Sequence, residues 1–276
     1  MIEYGDCAVA CDVASNLEKY MDTESTRLVF MDPPFNTGKN FFDYSDKRTV
    51  GEWLDMMRPV LISVRNILRA DGSVWINLDE RMNHHCRLLC DEIFGADCYV
   101  MTVQWQKKYK ASQSRSIHAV HNPIMIYGKN AGWRRVRGIA PNEAHVSKYK
   151  NPDNDPKGRY RFTHSGDRTY LAELLERGAM PTTWWTYQEV GYTELAVKEV
   201  IAECGVAFST PKPLALMRRI INIGSDVNDW VVDPMAGSGT TIAAAIELRR
   251  RWFGIEREQA TIGTFIKPRV TRRLRV

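Results

Sequence analysis

The chain has no long apolar run. No stretch of its 276 residues approaches the roughly 20 consecutive apolar residues that a helix needs to cross a bilayer. Its first residues, Met1-Ile2-Glu3-Tyr4-Gly5-Asp6, hold no basic stretch followed by an apolar one, so no secretory leader is expected. Cysteine is scarce and scattered, six in all. Cys7 and Cys11 repeat the spacing of Cys86 and Cys90, and His84 and His85 adjoin the second pair, but no C-x-x-C unit occurs. Cys86 and Cys90 fit an apolar helical face with Leu89 and Ile93, which reads as core thiols rather than metal ligands. Neither a disulfide framework nor a metal site is expected, and a reducing, cytoplasmic setting is. Internal repeats and low-complexity segments are absent as well.

What is present is a 44% hydrophobic composition, enough for a substantial core, and a modest net charge of +5. That charge permits nucleic-acid binding without requiring it. Its distribution says more. Between Trp105 and His118 stand Lys107, Lys108, Lys110 and Arg115 with no acidic residue, and the tail beyond Arg249 is strongly basic. Runs of this kind are most often solvated faces. Eight Trp and eleven Tyr supply rings for base stacking or for cores.

Periodicity gives an alternating α/β pattern. A short strand ends near Asp6, Ala10 to Tyr20 has weak helical spacing, and Arg27 to Met31 is a strand. An amphipathic helix covers Glu52 to Ala70, with Trp53, Met57, Val60, Leu61, Val64, Ile67 and Leu68 on one face, Pro59 inside it, and Asp71-Gly72 at its end. A buried strand over Ser73 to Leu78, a helix over Arg81 to Phe94, and strands over Val100 to Trp105 and Pro123 to Tyr127 follow. The β-α-β-α-β order predicts a parallel sheet with crossover helices. From about Asn130 to Gly205 the chain is polar and rich in turns, as in Asn151-Pro152-Asp153-Asn154-Asp155-Pro156-Lys157-Gly158, and reads as an insertion. Regularity returns with a helix over Pro213 to Ile221, a strand ending at Val232, a helix after Thr240, and a strand over Trp252 to Ile255.

Two strand ends stand out. Leu28 to Met31 runs into Asp32-Pro33-Pro34-Phe35, and Trp230-Val231-Val232 runs into Asp233-Pro234-Met235-Ala236-Gly237-Ser238-Gly239-Thr240-Thr241. In an open α/β sheet such loops meet at the carboxyl edge of the strands, where ligands bind. The small residues of the second loop let backbone N–H groups approach a ligand closely. Its spacing is not G-x-G-x-x-G, and no lysine follows Gly239. Arg251-Trp252-Phe253-Gly254-Ile255-Glu256 then gives an apolar strand ending in a carboxylate, where dinucleotide folds meet ribose hydroxyls. A nucleoside without pyrophosphate suits this pair. Gly-rich turns occur in many α/β proteins, and Asp-Pro-Pro alone is a reasonable turn; the combination carries the inference.

The chain resembles the amino-group DNA methyltransferases that use S-adenosyl-L-methionine. Asp233 to Thr241 is similar to their cofactor motif, with Met235 in place of an aromatic residue, and Asp32 to Phe35 to their catalytic D-P-P-Y/F motif. Catalytic motif first and cofactor motif last is the permuted, β-class order. Gly5-Asp6, Asn36-Thr37-Gly38, Leu78-Asp79, Cys90 to Gly95 and Trp105-Gln106-Lys107-Lys108 resemble the modification subunits of type III restriction systems and their shorter phage or orphan relatives. Thr210-Pro211-Lys212-Pro213-Leu214 is similar to the family's T-Q-K-P-L element, with Pro211 in place of Gln.

The resemblance implies a Rossmann-like methyltransferase sheet of α/β class, circularly permuted in motif order, with an inserted target-recognition region. Its divisions are a catalytic half at 1–130, the insertion at 131–205 and a cofactor-binding half at 206–276. It implies a site-specific DNA adenine-N6 methyltransferase, with Asp32, Pro33, Pro34 and Phe35 as catalytic residues. Asp6, Lys212, Asp233, Pro234, Gly237, Ser238, Gly239, Thr240 and Glu256 are the implied cofactor contacts. Double-stranded DNA is the implied partner, and a second copy of the chain or a restriction subunit is compatible with it.

An adenine amine is a poor nucleophile because its lone pair is delocalised. Asp32 and the Pro33 carbonyl can accept its two protons and favour a tetrahedral nitrogen, while Phe35 offers a stacking face for a flipped base. No Pro-Cys element suited to a covalent cytosine mechanism occurs. Lys107, Lys108, Lys110 and Arg115 are candidate phosphate contacts, and Gln113, Arg134, Arg135, Arg137, Arg159 and Arg161 candidate base contacts. The nearest alternative is a cytosine-N4 enzyme, whose family members usually carry Ser at the position of Asp32. Glutamine-modifying relatives usually carry Asn there. A DNA-binding module with a decayed site would have lost one motif, and both are intact.

Overall fold

The computed structural model describes residues 1–40, 45–108, 117–133 and 138–275. Lys110, Gln113, Arg115, Arg134, Arg135 and Arg137 lie outside them. The chain divides into two compact units, Met1–Arg134 with Thr183–Val276, and Arg135–Thr182.

The larger unit is built on a nine-stranded sheet. Its strands are β1 (Ile2–Tyr4), β2 (Cys7–Cys11), β3 (Thr26–Met31), β4 (Leu68–Asn77), β5 (Tyr99–Gln106), β6 (His121–Gly128), β7 (Trp184–Trp185), β8 (Trp230–Asp233) and β9 (Arg251–Glu256). Their spatial order is β1-β2-β9-β8-β3-β4-β6-β5-β7. The run β2-β9-β8-β3-β4 is parallel throughout, so its carboxyl ends share one edge. β6 is antiparallel to both neighbours, so the sheet is mixed rather than purely parallel as the alternating pattern predicted. β5 and β6 are consecutive in the chain and pair antiparallel, from Tyr99 with Tyr127 to Gln106 with His121.

Helices cover both faces. On one, α1 (Val50–Ile67) and α2 (Glu80–Phe94) join Val29, Met31, Val74 and Ile76 in the main core. The predicted face of α1 is the buried one, and the helix runs through Pro59. Thr49 and Glu52 form a capping box at its start, satisfying donors that the first turn leaves free. The helix stops at Ile67, three residues earlier than the spacing suggested, because Leu68 is already extended and pairs with Thr26. On the other face lies α4 (Leu214–Gly224), whose Gly224 passes so close to Leu28 that an added Cβ would sit 2.9 Å from Leu28 Cδ1. α3 (Thr193–Cys204), α5 (Thr240–Glu247) and α6 (Lys267–Leu274) are further helices of this unit.

Cys7–Cys11 is a strand where helical spacing began to be read at Ala10. Its residues Ala8, Val9 and Ala10 are buried between β1 and β9, and tertiary pairing overrides their weak local preference. The segment from Thr183 to Gly205, expected in the insertion, belongs to the sheet unit: β7 pairs in parallel with β5, and Trp105 donates to the Gly191 carbonyl at 3.1 Å.

The smaller unit holds an antiparallel ribbon, Tyr160–Phe162 with Arg168–Tyr170, and a helix over Leu171–Arg177. Tyr149, Leu174 and Ala179 form its core. Arg168 ion-pairs with Asp153 and Asp155, closing the turn-rich stretch onto the ribbon. Among the described residues no helix is long and apolar enough to cross a membrane.

Candidate active site

Strand pairing brings the two singular loops together. β3 and β8 are adjacent, with Val29 opposite Val232, so the chain leaves them side by side at Asp32 and Asp233. A cavity of about 320 Å³ opens between the loops. Asp32, Pro33, Pro34 and Phe35 line it from one side, and Pro234, Met235, Gly237 and Glu256 from the other.

The Asp32 loop is held from several directions. Its carboxylate takes a hydrogen bond at Oδ1 from Asn77 Nδ2 at 2.8 Å and an ion pair at Oδ2 from Lys212. Lys212 stands between Pro211 and Pro213, whose fixed φ keeps the chain extended just before α4. Its ammonium also lies 5.5 Å from the Phe35 ring centroid. The Pro34 carbonyl accepts from Trp53 Nε1 at 2.7 Å, which ties the loop to buried α1. Asn36 follows in the left-handed region at φ 54°, and its Oδ1 accepts from the Arg48 backbone at 2.9 Å.

The glycine loop has two functions. Pro234, Met235 and Gly237 face the cavity. Asp233, Ser238, Gly239 and Thr240 do not line it and instead brace the turn. The buried Asp233 carboxylate accepts from Met235 N at 3.0 Å and Thr241 Oγ1 at 2.6 Å. Burial pushes its pKa up to about 7, against these two hydrogen bonds. Arg269 of α6, itself buried, donates to the Ser238 carbonyl and to Thr240 Oγ1, both at 2.9 Å, and pairs with Glu203. Gly239 has φ 74°, and a Cβ there would stand 3.0 Å from Ile266, so conformation and space both require glycine.

Glu256 ends β9 with both oxygens engaged, Oε2 by Gly237 N at 2.9 Å and Oε1 by Glu258 N at 3.0 Å. Burial raises its pKa, and the backbone donors oppose the rise.

The structure does not bring Asp6 to this cavity. Asp6 sits in the β1–β2 hairpin turn, 86% exposed, with Arg251 Nη2 at 3.9 Å. The turn precedes β2, and β2 is parallel to β9, so Asp6 stands at the amino edge of the sheet. The residue at the carboxyl end of β2 is Asp12, which lines the cavity. The Tyr20 hydroxyl, the Val13 backbone, Asn16 and Lys19 all donate to it and hold its carboxyl far below the usual range. The apolar run Ala8-Val9-Ala10-Cys11 closed by Asp12 was the available signal. Phe208, another wall of the cavity, follows no readable pattern.

Lys107 is half-buried at the end of β5, and burial lowers its pKa while Asp79 opposes the shift. Lys108 is exposed, with its ammonium 4.8 Å from the Tyr192 ring centroid. In the smaller unit Arg159 donates to the carbonyls of Tyr149 and Val146, both at 2.9 Å, which commits its guanidinium to the fold. Arg161 stacks 5.5 Å from the Tyr149 ring centroid. Cys86 and Cys90 are buried on α2, and among the described residues no group of side chains could hold a metal ion.

The fold and the site define an α/β protein with an acid-proline loop and a glycine loop around one carboxyl-edge cavity. Residues 26–267 match the family model for N6/N4 DNA methylases, and the chain belongs to that DNA methylase family. It is 25% identical to the type II methyltransferase M.EcaI of Enterobacter cloacae over 90% of this chain and 65% of that protein. It is 26% identical to the DNA adenine methyltransferase YhdJ of Escherichia coli K12 over 89% of this chain and 76% of that one. The chain spans about half to two thirds of the length of the first curated relatives it matches. Among solved structures, the cytosine-N4-specific PvuII DNA methyltransferase superposes with a TM-score of 0.66 at 16% identity, covering 95% of this chain and 86% of that one. The M1.HpyAVI complex with S-adenosylmethionine gives 0.55 at 19% identity, covering 95% and 98%.

Proposed function

We propose that the chain is a DNA methyltransferase that transfers a methyl group from S-adenosyl-L-methionine to the exocyclic N6 amine of an adenine turned out of the duplex. The observation that carries this reading is that one cavity is walled by Asp32 to Phe35 on one side and by Gly237 and Glu256 on the other.

The cofactor half fits a nucleoside. Glu256 offers a carboxylate fixed by two backbone N–H groups, suited to the paired hydroxyls of a ribose. Phe208, Met235 and Ile255 supply apolar wall for a purine ring. Lys212 offers an ammonium for a carboxylate. Bound there, S-adenosyl-L-methionine supplies an electrophilic methyl group.

The catalytic half handles the amine. Asp32 accepts one amine proton and the Pro33 carbonyl the other, since the Pro34 carbonyl is already committed to Trp53. Two acceptors draw the amine nitrogen toward the tetrahedral geometry in which its lone pair is available. Phe35 stacks on the base. The proton released after transfer passes to Asp32 and then to solvent. No covalent enzyme intermediate is needed.

Adenine is favoured over cytosine by Asp32, where cytosine-N4 relatives usually carry Ser, and by the likeness to an adenine enzyme. Double-stranded DNA is the substrate in this reading, and residues 135–182 are the natural target-reading module. The test is incubation with labelled S-adenosyl-L-methionine and DNA, followed by nucleoside analysis. N6-methyladenine is the expected product. N4-methylcytosine would replace the base assignment, and no labelled nucleoside would reject the reading.

A further inference from the structure

β4 is buried along its length from Ser73 to Asn77, yet it ends in an amide. Asn77 is fully buried. Its Nδ2 donates to Asp32 Oδ1, and its Oδ1 has no partner among the described residues. An orphaned acceptor in a core costs stability, and an apolar residue of similar size would avoid that cost. The amide orientation is fixed by its neighbour. A carboxylate only accepts, so the NH2 group must face Asp32 and the carbonyl must face away. Register explains the juxtaposition: β3 and β4 are parallel with Met31 opposite Ile76, which sets Asp32 beside Asn77.

The two partners of Asp32 differ in kind. Asn77 is a short side chain on a buried strand, and its donor is immobile. Lys212 is a cation on a flexible stem with three rotatable donors. One carboxylate oxygen is therefore anchored to the sheet, while the other is held by a group that can move. We propose that Asn77 is a positioning residue: it pins Asp32 Oδ1 so that Oδ2, the oxygen shared with Lys212, is the one presented to the substrate amine. This rests on the methyltransferase reading above and adds to it which oxygen of Asp32 acts and what orients it.

The test uses Asn77→Leu, an apolar replacement of similar size, and Asn77→Ala, which removes the donor without adding a group that could replace it. Three quantities are read: kcat, cofactor affinity by calorimetry, and the thermal midpoint in the parent and in the Asp32→Ala background. We expect kcat to fall about 10- to 100-fold, as for a small misplacement of a catalytic group. The cofactor Kd should stay within about twofold, the size of a mutational effect remote from the ligand. The midpoint shift caused by Asn77→Leu should differ between the two backgrounds, because residues in contact couple. Unchanged kcat in both variants, or identical midpoint shifts in both backgrounds, would overturn the proposal. So would losses of cofactor affinity matching those in kcat, the mark of a merely structural role. If Asn77→Leu does not fold, Asn77→Ala carries the kinetic comparison. A parent protein that methylates no DNA would sink the function reading instead, and the midpoint comparison would still judge the Asn77–Asp32 coupling.

Discussion

Gly237 donates its backbone N–H to Glu256 Oε2 at 2.9 Å, joining the turn after β8 to the end of β9. The bond fixes the carboxylate at the cavity wall and leaves its remaining lone pairs for a ligand. Replacing Glu256 by Ala should weaken cofactor binding by about 1.5–3 kcal/mol, the range for hydrogen bonds to a charged group. Glu256→Gln keeps one acceptor oxygen and should lose less. Calorimetry on the three proteins checks this, and equal affinities would remove Glu256 from the cofactor site.

Asp32→Ala should abolish methyl transfer while leaving cofactor affinity within a few fold. Asp32 stands on the proline side of the cavity, apart from Gly237 and Glu256. Its loss frees Lys212 from an ion pair but removes no wall of the cofactor half. Single-turnover rates and calorimetry read the two effects separately. A fall in affinity as large as the fall in rate would mean that Asp32 contacts the cofactor instead.

Asp233 makes stability depend on pH in a direction opposite to that of most carboxylates. Its pKa rises from 3.8 to about 7 on burial. Between those values the folded state holds a proton that the unfolded chain has lost, so stability is greatest at the acid end and falls as pH rises through 7. Three units correspond to roughly 4 kcal/mol as an upper bound. Asp233→Asn cannot titrate and can still accept from Met235 or Thr241. Relative to the parent, it should therefore be more stable at pH 8 than at pH 5. Chemical denaturation at the two values measures the difference. A gap between parent and variant that is independent of pH would show that Asp233 is ionised in both states.

Much of the cavity was legible in sequence because its two loops interrupt apolar strands. An Asp-Pro-Pro or Asp-Pro-x-x-Gly turn after Val-Phe-Met or Val-Val breaks a local rule, and such breaks mark sites. Glu256 was legible for the same reason, as a charge closing an apolar run. Asp6 came from the resemblance, and a Gly-Asp match beside a short strand does not say whether that strand enters or leaves the active edge. Direction is set by the pairing of β2 with β9, which spans more than 240 residues of sequence. Asn77 carried no signal, since one amide at the end of a buried strand is chemically unremarked until its neighbour is known. Ser238 and Thr240 show the opposite limit: their place in the motif was clear, but their bonds to Arg269, about thirty residues further on, depend on how α6 packs.

Lys107 and Lys108 are consecutive but differently placed, and DNA binding should separate them. Both follow β5, whose end lies at the same edge as that of β4, since each is antiparallel to β6. Lys108 is exposed and free to meet a phosphate, while Lys107 is half-buried with a depressed pKa close to Asp79 and Lys212. A phosphate contact gives affinity without sequence information and releases condensed counterions. Lys108→Ala should therefore weaken binding to all sequences alike and flatten the log–log salt dependence by about one unit. Its kcat should hold at saturating DNA. Lys107→Ala should lower kcat as well, because this ammonium contributes to the field around Lys212. Binding isotherms at several salt concentrations, with single-turnover rates at saturation, give both quantities. An unchanged salt slope for Lys108→Ala would show that this lysine serves only to cover the Tyr192 ring. Equal kcat for parent and Lys107→Ala would place Lys107 outside the catalytic field.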